Sequence, residues 1–238
     1  MAQRSPMKTL LISDVHIGYR YSRARDALAV LENEQYDRLI LIGDIFDISN
    51  MMNNRAYWDE HHTAFLKKIF KLAKKIDVIY VAGNHDWPLK FLHEYTNKIA
   101  GIKICRSYSY ESGGKTITCV HGDQYENIDK RLRKFGDLFY HIGLWFNKYI
   151  NVVRKWFGKP YWSFSKWCKD KVKTIIMKSF DIESKMLDDN KESDIIVYGH
   201  THMPYVSEKI CNTGAFVEIA TYIIESDGYP ILHNLDND

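Results

Sequence analysis

Residues 8–16 read KTLLISDVH, an apolar run that ends in Asp14 and His16. A short apolar run bounded by polar residues is typical of a buried β-strand. Because side chains alternate along a strand, we expect Asp14 and His16 to point to the same face, where both can contact one ion. This stretch therefore predicts a strand whose carboxyl end carries a candidate metal site.

The same arrangement, an apolar run that ends in a polar cluster, recurs four times along the chain. The later clusters are Gly43-Asp44, Gly83-Asn84-His85-Asp86, His121-Gly122-Asp123 and Gly199-His200-Thr201-His202. Helix-like segments at residues 22–34 and 57–75 alternate with the first strands, which is typical of an α/β fold. Since ligands bind at the carboxyl ends of strands in open α/β sheets, we expect all five clusters on one rim.

These clusters supply the ligand types of a two-metal centre. Carboxylates, an amide oxygen and imidazoles together suit borderline divalent ions, namely Mn²⁺, with Fe²⁺ or Zn²⁺ as alternatives. Seven side chains are too many for one tetrahedral ion, but with one bridging carboxylate they provide four contacts to each of two ions. The predicted metal ligands are Asp14, His16, Asp44, Asn84, His121, His200 and His202.

Each cluster taken alone also has a purely structural interpretation. Asn, Asp and Gly favour turns, so a lone Gly-Asp or Asn-His pair after a strand is usually a turn. A lone Asp-x-His or His-x-His pair is weak evidence for a metal. Five such clusters in series at successive strand ends favour metal chemistry over chance.

In order and spacing, the motifs resemble those of the calcineurin-like metallophosphoesterase superfamily. They are Asp14-x-His16, Gly43-Asp44-x-x-Asp47, Gly83-Asn84-His85-Asp86, His121-Gly122-Asp123 and Gly199-His200-x-His202. Residues 13–18, 121–125 and 212–218, with a basic aromatic segment described below, are most similar to the branch related to UDP-2,3-diacylglucosamine hydrolase. One position differs, because the dedicated hydrolases commonly carry Arg where this chain has His85.

The resemblance implies a four-layer α/β/β/α sandwich with two metal ions bridged by Asp44. It assigns Asp14, His16 and His202 to one ion, and Asn84, His121 and His200 to the other. His85 falls on the superfamily's non-ligand histidine, which with Asn84 contacts the substrate's phosphate and protonates the leaving oxygen. Asp47 or Asp86 is then expected to orient His85, which gives His85, Asp47 and Asp86 as the predicted catalytic residues.

The implied activity is hydrolysis of a phosphodiester or pyrophosphate bond by in-line attack of a metal-bridging hydroxide. The expected substrate is a phosphorylated small molecule or a lipid-linked compound similar to UDP-2,3-diacylglucosamine. A nuclease or a phosphoprotein phosphatase of the same superfamily is the alternative. A non-catalytic function in binding lipid or nucleic acid is disfavoured. A metal site with a purely structural role does not require a non-ligand histidine beside open coordination positions.

Residues 127–178 differ in composition from the rest of the chain. They contain 13 Lys and Arg against three acidic residues, a net charge of +10 in a chain whose total is +3, and four of its six tryptophans. Aromatic residues there recur at helical spacing. We therefore expect a helical insert, or lid, at 127–178 within a core formed by 1–126 and 179–238. The simpler interpretation is that the basic residues form a face exposed to solvent. The more specific interpretation is that the insert contacts an anionic membrane or nucleic acid.

Cysteine spacing and hydropathy indicate in which cellular compartment the protein is expected. The four cysteines include no Cys-x-x-Cys pair, which favours reduced thiols over a disulfide framework. The apolar run near the amino terminus is shorter than the hydrophobic region of a secretion signal. The longest other apolar stretch falls short of the about 20 residues that span a bilayer. We therefore expect a cytoplasmic protein, with peripheral membrane contact as an option.

Overall fold

The computed structural model describes residues 6–52, 56–126, 156 and 182–236. By its internal contacts the chain divides into two units, Met1–Asp123 with Met186–Asp238, and Gln124–Lys185. The architecture below is that of the first unit. Apart from the single residue Trp156, the predicted insert at 127–178 lies outside the described residues, so the insert and its boundaries stay predictions.

The described strands and helices alternate in the first half of the chain. The strands are β1 (Lys8–Ile12), β2 (Arg38–Ile42), β3 (Asp77–Val81), β4 (Lys98–Ile99), β5 (Ile102–Cys105), β6 (Ser107–Ser112), β7 (Lys115–Val120), β8 (Ile195–Tyr198), β9 (Tyr205–Val206), β10 (Ile210–Asn212), β11 (Thr221–Ser226) and β12 (Tyr229–Asn234). The helices are α1 (Ala24–Asn33), α2 (Ile48–Met52), α3 (Glu60–Leu72), α4 (Trp87–Tyr95) and α5 (Ile182–Asp189), with a 3-10 turn at Asp123–Tyr125.

The strands form two sheets. One has seven strands in the order β12-β11-β1-β2-β3-β5-β4, and the other has five in the order β6-β7-β8-β10-β9. Strands β1, β2, β3 and β5 are parallel, and so are β7, β8 and β10. Because parallel strands end at the same edge of a sheet, the residues that follow β1, β2 and β3 lie at one edge, as do those that follow β7 and β8.

Alternating side chains of the central strands build two cores, as expected for strands that are buried on both faces. One set packs with helices α1 and α3: Leu10, Ile12, Leu39, Leu41, Val78 and Tyr80. The other set packs against the five-stranded sheet: Leu11, Ile40, Ile42, Ile79 and Val81. On that second sheet, α5 buries Met186 close to Gly122, just after β7. The predicted α/β/β/α sandwich is therefore confirmed.

Element boundaries differ from the sequence expectations at several places. Helix α3 begins later than expected because the Asp59 carboxylate accepts the His62 backbone N–H and caps the helix. Helices α2, α4 and α5 and the strands β4, β5, β6, β9 and β10 were not predicted. No helix in the described ranges is both long and apolar enough to cross a membrane.

One difference concerns residues 215–224, whose largely apolar sequence predicts a strand, whereas strand β11 begins only at Thr221. The preceding residues turn back on themselves, because Ala215 and Phe216 each form a β-bridge with Ala220. Phe216 is fully buried, whereas Glu218 and Ile219 are exposed at the tip. We call residues 215–220 the 215–220 loop; it presents Glu218 to the candidate site described next.

Candidate metal centre

The structure brings the sequence-predicted ligands to one rim, each just after a strand. Asp14 and His16 follow β1, Asp44 follows β2 and Asn84 follows β3, while His121 follows β7 and His200 and His202 follow β8. Two groups have ligand atoms that lie within 4.8 Å of one another: Asp14, His16 and His202, and Asp44, His121 and His200. A third such group, His16, Asp47 and His85, adjoins them.

In the first group, Asp14 Oδ1 faces two imidazoles. It lies 3.2 Å from His202 Nε2 and 3.8 Å from His16 Nε2. Ligand atoms bound to one ion at about 2.1 Å lie at most about 4.2 Å apart, so these atoms are already at coordination spacing. Asp14 and His16 are buried, and His202 is a quarter exposed, which leaves one side of the group open.

In the second group, Asp44 Oδ2 lies 3.1 Å from His121 Nε2. The Asn84 Oδ1 atom lies 3.3 Å from the same nitrogen, so the predicted amide ligand joins the group. His121 Nδ1 donates to the Ile42 carbonyl oxygen at 2.9 Å. Because a carbonyl only accepts, that bond requires the proton on Nδ1 and leaves the Nε2 lone pair for a metal.

Two buried atoms supply a test of whether a metal fits the first group. Among the described residues, neither Asp14 Oδ1 nor His16 Nε2 makes a well-aligned hydrogen bond, although imidazole nitrogens lie 3.2 Å and 3.8 Å from Asp14 Oδ1. A buried polar atom without a partner costs about 1–3 kcal/mol, and a divalent cation between them would satisfy both. The other oxygen, Asp14 Oδ2, accepts from the Ser13 hydroxyl and from the His200 backbone N–H. The residues present therefore fit a metal ion.

The backbone at the site is unusual. Five predicted ligands have positive φ angles between 51° and 63°: Asp14, His16, Asp44, His200 and His202. This left-handed region is sparsely populated by residues other than glycine, and strain of this kind is concentrated at functional sites. Strand β1 ends at Ile12, so this turn of the backbone, and not strand alternation, brings Asp14 and His16 to one site.

Close approach of the two sheets excludes a side chain at Gly43. A Cβ there would lie 2.4 Å from His121 Nδ1, which is below any normal contact. Gly43 also has φ of +72°, in the region that glycine alone adopts freely. Glycine at this position therefore lets His121 of one sheet approach Asp44 of the other.

Opposite charges in the cluster shift the pKa values of its side chains. Burial alone would lower the pKa of His16, His121 and His202, but the facing carboxylates outweigh it and raise these values to about 9, about 10 and about 10. Burial alone would raise the pKa of Asp14, yet His16 and His202 hold it well below its usual range. In the metal-free protein, the positive charge of the protonated imidazoles therefore balances the negative charge of the carboxylates, as a bound metal ion would.

The three predicted catalytic residues take different positions. His85 is about a third exposed, and its Nδ1 lies 3.1 Å from Asp47 Oδ1. Asp86 is fully buried and accepts the backbone N–H groups of Phe46 at 2.8 Å and of Ile45 and Gly83 at 3.3 Å. Of the two acids expected to orient His85, Asp47 therefore makes the contact, while Asp86 holds the loops together.

One residue at the site was missed by the ligand motifs. Glu218 Oε2 lies 2.9 Å from His202 Nδ1, on the ring edge opposite the atom that faces Asp14. Glu218 belongs to the 212–218 stretch that carried part of the family resemblance, but it has no ligand spacing that would single it out. Only the 215–220 loop brings it to His202.

Comparison of the amino-acid sequence with known protein families identifies the family of this chain. Residues 7–204 match the calcineurin-like phosphoesterase family, and the chain belongs to that family. The protein is therefore a phosphoesterase, a hydrolase of a metal-dependent family. It is 25% identical over 221 residues to UDP-2,3-diacylglucosamine hydrolase of Shewanella piezotolerans, a match that covers 85% of this chain and 85% of that one.

Solved structures that match this chain over most of its length include a phosphoesterase, a predicted phosphoesterase and a Vps29 protein. A phosphoesterase from E. coli, Yfce, has a TM-score of 0.44 and 14% identity, covering 92% of this chain and 87% of that one. A predicted phosphoesterase from Streptococcus pneumoniae has a TM-score of 0.43 and 15% identity, covering 98% and 91%. Vps29 of Chaetomium thermophilum has a TM-score of 0.46 and 9% identity, covering 96% and 94%.

Proposed function

We propose that the protein is a two-metal hydrolase that cleaves a phosphodiester or pyrophosphate bond. The observation that carries the proposal is the pair of carboxylate-imidazole groups at one rim, Asp14 with His202 at 3.2 Å and Asp44 with His121 at 3.1 Å. Neighbouring binding positions for two divalent ions are a common device of phosphoryl transfer. The proposed ions are Mn²⁺, or Fe²⁺ or Zn²⁺, because the donors are mixed oxygen and nitrogen.

The proposed ligand assignment follows the two groups. Asp14, His16 and His202 hold one ion, and Asn84, His121 and His200 hold the other, with Asp44 shared between them. When bound, such ions lower the pKa of a coordinated water and neutralise charge on the phosphoryl oxygens. The buried position of Asp14 and Asp44 supports strong electrostatic binding, because charges interact more strongly away from water.

We propose that His85 protonates the leaving oxygen of the substrate. Its ring is partly exposed and is held at Nδ1 by the carboxylate of Asp47. In its imidazolium form the ring also carries a proton on Nε2, which it can donate to the leaving oxygen of the substrate, and it is left as the neutral Nδ1–H tautomer. The His85 backbone N–H donates to Asp44 Oδ1 at 2.7 Å, which links the His85 backbone, and not its ring, to the shared ligand. Asn84 is proposed to contact the substrate phosphate beside His85.

For the substrate, we propose a pyrophosphate that joins a nucleotide to a second group, lipid-linked compounds similar to UDP-2,3-diacylglucosamine included. The 25% identity to the Shewanella hydrolase over most of both chains supports this substrate class. A nuclease of the same family is the alternative. The positive charge of residues 127–178 is compatible with either, because lysine and arginine bind phosphates of anionic lipids and of nucleic acids. Cytoplasmic location with peripheral membrane contact stays a prediction.

A substrate panel tests the proposal. We expect the purified, Mn²⁺-loaded protein to hydrolyse bis(p-nitrophenyl) phosphate or a nucleoside diphosphate sugar faster than the monoester p-nitrophenyl phosphate, and to lose activity with a chelator. Cleavage of single-stranded DNA as the dominant activity would favour the nuclease. No metal-dependent hydrolysis of any of the four substrates would contradict the proposal.

A further inference from the structure

We propose that Glu218 is a positioning residue that holds His202 in the orientation and the neutral tautomer required for metal binding. This inference rests on the proposed function, because it assigns His202 to a metal. Glu218 lies beyond residue 204, where the match to the family ends, and it belongs to none of the ligand motifs. Its contact with His202 is a single hydrogen bond of 2.9 Å.

The chemistry of this bond fixes the protons on the ring. A carboxylate only accepts hydrogen bonds, so His202 Nδ1 must carry the proton. In the neutral ring, the lone pair then lies on Nε2, the atom 3.2 Å from Asp14 Oδ1. Metal-bound histidines usually donate their other ring N–H to a carboxylate or a carbonyl, and this contact raises the basicity of the ligand. Of the two neutral tautomers of His202, Glu218 therefore selects the one whose Nε2 can bind an ion.

The 215–220 loop holds Glu218 firmly enough for this role. Below its exposed tip, the Phe216 backbone N–H donates to the Asp14 carbonyl at 3.0 Å, and the Phe216 carbonyl accepts from the Arg23 N–H at 2.7 Å. The Phe216 side chain is fully buried in the core cluster that also contains residues of α1. The same loop is thus attached to Asp14 and to His202, the two residues that face each other across the first metal position.

Glu218 makes the two proposed metal positions unequal. At the second position, His121 Nδ1 donates to the neutral carbonyl of Ile42 at 2.9 Å. At the first, His202 Nδ1 donates to a full negative charge, although the Glu218 side chain is 62% exposed and water screens part of its effect. Loss of Glu218 should therefore weaken binding at the first position only.

Metal titration of matched variants tests the inference. Loss of a residue that supports a metal ligand typically lowers metal affinity 10–100-fold. We expect Glu218→Ala to lower the affinity for one of two bound Zn²⁺ or Mn²⁺ ions by about this factor and to leave the other unchanged. Glu218→Gln, which still accepts from Nδ1 but is uncharged, should lose less. Glu192→Ala, an exposed glutamate before β8, is the matched control and should bind both ions normally.

A second measurement reports on the ring directly. In the Zn²⁺-loaded protein labelled with ¹⁵N-histidine, we expect the Nδ1 proton of His202 to give a resolved, downfield NMR signal that Glu218→Ala shifts upfield or loses to exchange with water. If Glu218→Ala keeps both affinities and this signal, Glu218 has no positioning role. An equal loss in Glu192→Ala would also overturn the inference, because it would show a general charge effect. If the wild-type protein itself binds fewer than two ions, the proposed function fails first.

Discussion

His85 is attached to Asp47 and Asp44 by two separate contacts, of which the one to Asp47 involves the imidazole ring. His85 Nδ1 lies 3.1 Å from Asp47 Oδ1, whereas the His85 backbone N–H donates to Asp44 Oδ1 at 2.7 Å. A substitution can therefore remove the ring and leave the backbone contact with Asp44 in place. This separation makes it practical to divide chemistry from metal binding at the site.

Replacement of His85 by alanine should slow hydrolysis and leave the bound metal ions in place. We expect turnover to fall roughly 10²–10⁴-fold, the range for loss of acid-base assistance, with two ions still bound. Activity and elemental analysis on the same sample measure both. His61→Ala, which removes a histidine from the surface of α3, should change neither. Unchanged turnover, or loss of an ion, in His85→Ala would show that the assigned role is wrong.

Replacement of Asp44 by alanine should remove more metal than any other single ligand change. Asp44 is proposed to contact both ions, so its loss takes one ligand from each, whereas Asn84→Ala takes a ligand from one ion only. We expect Asp44→Ala to retain less than one ion per chain under conditions in which Asn84→Ala retains at least one. Elemental analysis that finds two ions in Asp44→Ala would contradict a shared ligand.

The raised histidine pKa values predict that, as pH rises, the metal-free protein becomes less stable while the stabilisation gained on binding metal increases. In the metal-free protein, protonated His16, His121 and His202 pair with the carboxylates, and this stabilisation is complete below about pH 6.5 and disappears as pH rises through about 9–10. The Tm of the metal-free protein should therefore fall between pH 7 and 9. Metal must displace these protons, so the rise in Tm on adding Mn²⁺ should be larger at pH 9 than at pH 7. A metal-free Tm that increases over this interval would contradict the prediction.

Asp86 should matter for stability, in contrast to Asp47. Asp86→Ala would leave the buried N–H groups of Ile45, Phe46 and Gly83 without their acceptor. We expect the free energy of unfolding to fall by about 2–4 kcal/mol, measured by urea denaturation. Asp47→Asn should lower turnover and change the urea midpoint much less. Equal destabilisation by the two variants would remove the distinction.

The basic segment at 127–178 supplies a prediction about partners. Four lysines there are replaced together by glutamine: Lys166, Lys169, Lys171 and Lys173. We expect hydrolysis of a small soluble diester to change little, and activity on a lipid-linked pyrophosphate in anionic vesicles to fall. Added salt should weaken the wild-type vesicle signal, because surface charges are screened within about 8 Å at physiological ionic strength. Loss of affinity for single-stranded DNA without a vesicle effect would favour a nucleic-acid substrate.

The sequence predicted the rim because apolar runs and the clusters that follow them are local patterns. Strands β1, β2 and β3 and the residues after them lie where the pattern placed them. Helix α4 was missed because it is only nine residues long and none of its residues is buried, its apolar residues Trp87, Phe91 and Leu92 being exposed. Only Pro88 in its first turn marks its start. Local signals thus identify buried elements better than surface ones.

Contacts between distant parts of the chain could not be predicted in the same way. Asp47 and Asp86 both fit the role of orienting His85, and only the folded loops distinguish the one that reaches its ring. Glu218 reaches His202 because a tight loop replaces the first half of an expected strand. The sequence pattern of 215–224 is apolar enough for a strand, and the bridges to Ala220 that interrupt it depend on tertiary packing.

The left-handed backbone at Asp14, His16, Asp44, His200 and His202 limits how far this centre can be transplanted. Each such residue costs roughly 1–2 kcal/mol relative to the ordinary right-handed conformation. A short peptide with the same Asp-x-His or His-x-His sequence would relax to commoner angles, and its side chains would diverge. Grafting the centre onto another scaffold therefore requires the two facing sheets that enforce these angles, and copying the motifs alone would not reproduce it.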